Sequence, residues 1–144
     1  MRKFSLVLLL VLALSLFLAA CGGGGSEPAS ESAAVAPRSG GNAANGEKLY
    51  KQPVIGKNSA PGCNTCHSLD EGVVLVGPSH AGMGTRAETA VAGQSAEDYL
   101  KESITNPNAH VTEGYAEGVM YQNYGADLTE QEISDLVAFL LTLK

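Results

Sequence analysis

Cys63-Asn64-Thr65-Cys66-His67 decides how the rest of this chain is read. Two cysteines three apart, with a histidine directly after the second, is the spacing of c-type haem attachment. Each part has a chemical reason. Two thiols can add to the two vinyl groups of one haem and hold the macrocycle through thioethers. The imidazole that follows is carried under the iron, where it can serve as the proximal axial ligand. Three blander readings stand beside this one. Half of a structural zinc site would need further ligands, and the chain has no second Cys-x-x-Cys and no His-x-x-x-His to supply them. A dithiol redox motif calls for a preceding strand within βαβ patterning, whereas Lys57-Asn58-Ser59-Ala60-Pro61-Gly62 reads as a loop. The third is a chance match in a structural loop, against which the added histidine speaks.

Residues 1–20 read as a segment outside the fold. Arg2 and Lys3 form a positive start, Phe4 to Leu18 is an apolar run, and small residues follow, which is the pattern of a secretory signal peptide. Leu18-Ala19-Ala20-Cys21 resembles the bacterial lipobox, which implies cleavage before Cys21 and lipidation of that cysteine. The alternative is an uncleaved membrane anchor, since Phe4 to Ala20 is near the lower length limit for a span. Either way the expectation is an exported domain tied to the outer face of the cytoplasmic membrane. The three cysteines are then accounted for, Cys21 for lipid and Cys63 and Cys66 for haem, with none left for a disulfide that the compartment would permit.

Without residues 1–20, seven Lys and Arg stand against fifteen Asp and Glu, a net of −8. That balance excludes nucleic acid as a partner and excludes a polybasic grip on anionic lipid. Attachment must come from acyl chains, and because each buried CH₂ contributes only about 0.8 kcal/mol, stable anchoring needs more than one chain. Residues 21–41 then form a linker of Gly, Ser, Ala, Glu and Pro, with too little apolar surface to offset the entropy of ordering.

Residues 42–144 read as one all-α domain, without internal repeats and with a single haem motif. Asn42 caps a first helix expected to run to about Gln52, where Pro53 stops it. Gly46 inside that helix suggests a close approach of another backbone. Val73-Val74-Leu75-Val76 is an apolar run too short for a helix, and Gly82 and Gly84 are expected to keep the next stretch as loop. Ser95-Ala96-Glu97-Asp98 opens a second helix that ends before Pro107. Thr129-Glu130-Gln131-Glu132 is a capping box, followed by Ile133, Leu136, Val137, Leu140 and Leu141 at helical spacing, with Lys144 expected in the last turn. With no tryptophan and few aromatics, the haem is expected to supply much of the core.

An early haem motif, a late methionine and a capped terminal helix make residues 42–144 resemble class I cytochromes c. Ile104-Thr105-Asn106-Pro107-Asn108-Ala109, then Gly114-Tyr115, then Gly118-Val119-Met120, is similar to the cytochrome c domains fused to subunit II of haem-copper oxidases. The resemblance implies a cytochrome c fold, one covalent haem c, His67 as proximal ligand, and the Pro78 carbonyl as acceptor for its Nδ1 proton. It implies Met120 as the sixth ligand, and Gly46 and Tyr50 crossing a last helix at Phe139. Met83 would be a packing residue. The family often has proline after the ligand methionine, and this chain has Tyr121. The oxidase subunit's copper domain and transmembrane hairpin are missing from the sequence, so a free-standing carrier is expected.

The functional expectation is a membrane-anchored monomer, not an enzyme, that carries one electron on a His67/Met120-ligated haem in a respiratory or photosynthetic chain. By analogy with the subgroup, a quinol-oxidising complex is the donor and a haem-copper oxidase the acceptor. The alternatives are a haem enzyme or gas-binding sensor in which Met120 dissociates, and a scaffold that uses haem only as a staple. His80 and His110 are candidate substitute ligands for the enzyme reading, each otherwise expected as a solvent-exposed loop histidine.

Overall fold

A computed structural model describes residues 40–144. The expected signal peptide, Cys21 and the expected linker through residue 39 lie outside the described residues. Helices dominate, as expected. The described residues form five α-helices, two short 3₁₀ turns and one two-stranded hairpin.

Helix α1 (Ala43–Tyr50) begins at Asn42, whose side chain accepts from the Asn45 amide at 3.1 Å. It stops two residues short of Gln52, because Pro53 has no N–H and biases the residue before it away from helix. Strands β1 (Val54–Ile55) and β2 (Ala60–Pro61) then pair antiparallel, Ile55 opposite Ala60. Two residues a side are too few for alternation to announce them. Helix α2 (Met83–Arg86) corrects the expectation of a continuous loop after Gly82: Gly82 takes a left-handed φ of 65°, and the Gly84 amide bonds the Leu143 carbonyl at 2.7 Å. Helix α3 (Ala96–Thr105) starts at Ser95, which accepts from the Asp98 amide, and it ends before Pro107. A short α4 (Tyr124–Asp127) precedes α5 (Glu130–Thr142), whose Thr129–Glu132 capping box is closed in both directions. Lys144 lies beyond the last turn and pairs with Glu88 at 3.3 Å, since α5 ends at Thr142.

The core is built on α5, which packs on α1, α3 and α2. It buries Ile133, Leu136, Val137, Phe139 and Leu140, each worth about 1.5–3 kcal/mol. Where α1 crosses it, a Cβ on Gly46 would stand 1.9 Å from the Asp135 carbonyl oxygen, so only glycine fits. Tyr50 and Phe139 meet there with ring centroids 5.3 Å apart. Asp135, 6 % exposed, accepts from the Asn42 amide at 2.6 Å and from Gln131 at 2.8 Å, pinning the start of α1 onto α5. Among the described residues no helix is long and apolar enough to cross a membrane.

Candidate haem-binding site

The attachment motif is folded by its own backbone. Cys63–Thr65 form a 3₁₀ turn in which the Cys66 and His67 amides both bond the Cys63 carbonyl, at 3.1 and 2.9 Å. Thr65 Oγ1 ties the turn to the Gly62 carbonyl at 2.6 Å. Neither cysteine is in a disulfide, and burial pushes the Cys63 thiol up to about 11, so it is neutral at physiological pH.

His67 Nδ1 lies 2.8 Å from the Pro78 carbonyl oxygen. A carbonyl can only accept, so Nδ1 carries the proton and Nε2 keeps its lone pair. Burial holds the imidazole pKa below its usual value, against the opposing pull of Pro78, which keeps the ring neutral as metal ligation requires. Gly77 makes this approach possible: its amide bonds the Cys66 carbonyl at 2.9 Å, and a Cβ there would stand 2.4 Å from His67 Cε1. Tyr50 Oη donates to the His67 backbone carbonyl at 3.1 Å.

Two histidines depart from the expectation of exposed loop residues. His80 is half-buried and stacks on His67, centroids 4.0 Å apart and planes 15° from parallel, with Nδ1 3.2 Å from Tyr50 Oη. Burial first, then the proximity of the His67 ring and the Arg86 guanidinium, push its pKa down to about 3. His110 places Nε2 3.0 Å from Glu102, whose carboxylate also accepts from Gln94 at 2.9 Å. Gln94 first, and His110 second, hold the Glu102 carboxyl below its usual range.

A cavity of about 580 Å³ opens beside the motif. Cys63, Cys66 and His67 line it, as do Pro78 and Met120, with Leu100, Ile104, Leu136 and Leu140 from α3 and α5. Met83 packs against the core but does not line the cavity. Ser103 lines it too, while its hydroxyl is buried with no hydrogen-bond partner among the described residues. Two free thiols, a neutral imidazole with a free lone pair and largely apolar walls suit a haem held by thioethers. No cluster of three His, Cys, Asp or Glu able to hold a bare metal ion occurs among the described residues.

Sequence reading missed the His80 stack and the bonds of Tyr121 and Tyr124 to Asp127 and Pro61. These pair residues from 6 to 63 positions apart, which no local pattern signals.

These features define a helical domain built to bind one c-type haem. A model of the cytochrome c family matches residues 43–144, well over half of the sequence, and the chain belongs to that family. No curated protein matches it. The domain is a haem-based electron-transfer module with covalently attached haem c.

Proposed function

We propose that this protein is a lipid-anchored electron carrier outside the bacterial cytoplasmic membrane, with His67 and Met120 as the axial ligands of its haem. The observation that carries the reading is that Met120, and not Met83, lines the same cavity as Cys63, Cys66 and His67. Bound there, haem c supplies a one-electron iron couple, and a thioether sulfur as sixth ligand raises its potential. The chain's own residues do the rest. Pro78 and Gly77 hold His67 in one tautomer and one orientation, and the apolar walls exclude water. If His67 and Met120 both held the iron, no open position would be left for a substrate, which favours a carrier over an enzyme or gas sensor. Cys21 lipidation and the linker give the domain a short leash, which suits exchange between two membrane complexes, a quinol-oxidising donor and a haem-copper oxidase acceptor.

Carbon monoxide tests the carrier reading: the reduced protein at neutral pH should not bind it, and rapid binding would support a ligand-binding haem instead. Membrane fractionation tests the anchor. Cys21→Ser should release the domain or leave its signal uncleaved, and unchanged retention with normal cleavage would count against lipidation.

A further inference from the structure

We propose that Tyr121 is a positioning residue that latches the Met120 loop to the hairpin leading into Cys63, through the buried carboxylate of Asp127. The inference rests on Met120 being the sixth ligand. Residues 119–122 form no backbone-to-backbone hydrogen bond. A segment so free of main-chain bonds needs side chains to hold it. Tyr121 Oη donates to Asp127 Oδ2 at 2.5 Å, and its ring meets Tyr124 edge-on at 5.0 Å. Asp127 is 4 % exposed and held from its other side: Asn58 Nδ2 donates to Oδ1 at 2.5 Å, and the Lys57 amide bonds the Asp127 carbonyl at 3.1 Å.

Lys57 and Asn58 sit in the turn between β1 and β2, and β2 ends at Pro61, two residues before Cys63. Tyr124 Oη donates to that Pro61 carbonyl at 2.6 Å. Two tyrosine hydroxyls therefore tie the methionine side of the cavity to the thiol side. The residue after the methionine is thus held by a side-chain hydrogen bond. A phenol donating to an ionised carboxylate makes a short, strong bond, and a carboxylate buried without its donor is costly.

Imidazole binding to the ferric holoprotein reads the latch, because the incoming ligand must wait for Met120 to leave. In the native protein the observed rate should saturate with imidazole at the rate of loop opening. Tyr121→Phe keeps the ring and removes only the hydroxyl; it should raise that limiting rate about tenfold or more, on the loss of a hydrogen bond to a charged group. Asn58→Ala should raise it as well, by loosening Asp127. A limiting rate within about twofold of native in Tyr121→Phe, even with a lowered melting temperature, would mean that the network supports only the fold and would overturn the proposal. Failure of the ligand assignment looks different. Native imidazole binding that never saturates and is unchanged by Met120→Ala would mean that Met120 is not the ligand, and would overturn both.

Discussion

His80 stands where burial dictates one protonation state, and that has a consequence for stability. Its folded pKa of about 3 lies below the ordinary 6.5, so between those values the unfolded chain binds the extra proton. Its contribution to stability is therefore intact above about pH 6.5 and is lost as pH falls toward 3, with a slope of at most about 1.4 kcal/mol per pH unit from this one group. His80→Leu should flatten that part of the profile while keeping an apolar contact with His67. Denaturant unfolding of the holoprotein at pH 7 and pH 5 checks it: the native protein should lose more stability between the two than the variant, and equal losses would contradict the assignment. Gly77 works through the side chain it lacks as well as through its amide. Any side chain at Gly77 would push His67 off the Pro78 carbonyl, so tautomer control at this site depends on one missing carbon.

Between elements, the crossing of α1 and α5 sets the frame on which the cavity is built. Gly46→Ala would gain a few tenths to about 1 kcal/mol of helix propensity but drive a methyl into the Asp135 carbonyl. Overpacking of that kind costs about 1–3 kcal/mol, so a net destabilisation is expected, read as a lower melting temperature with the haem still covalently held. This frame was legible in the sequence. Capping residues, helical apolar spacing and a glycine inside a helix each report a local physical demand, and α1, α3 and α5 begin where Asn42, Ser95 and Thr129 say they should. The attachment motif was legible for a similar reason, because its chemistry is packed into five consecutive residues. What escaped was either too short or too distant. α2 and α4 are four residues each, below the length at which periodicity speaks, and the Gly84 amide of α2 bonds the Leu143 carbonyl from far along the chain. Tyr121 looked only like an absent proline, since the carboxylate that gives it a purpose is itself fixed by Asn58 from 69 residues away.

At the scale of the whole molecule, a strongly acidic surface carries a local apolar exception. Val73, Val74, Leu75 and Val76 are each between 42 % and 61 % exposed, and Val76 reaches the cavity together with Val119 on the methionine loop. Apolar residues this exposed, side by side, suit a transient contact with a redox partner, while the acidic surround steers a partner with a basic face. Electron transfer to such a partner should therefore slow as salt rises, through screening of the steering charges. Stopped-flow traces over a salt series check this, and a flat response would leave the valine loop as the main docking element. Carrier chemistry at this site turns on which sulfur reaches the iron, and the near-infrared sulfur-to-iron band of the ferric protein measures that directly. Met120→Ala should abolish the band, lower the potential and let carbon monoxide bind the ferrous form, whereas Met83→Leu should leave all three as they are. A band that survives Met120→Ala and vanishes with Met83→Leu would contradict the account.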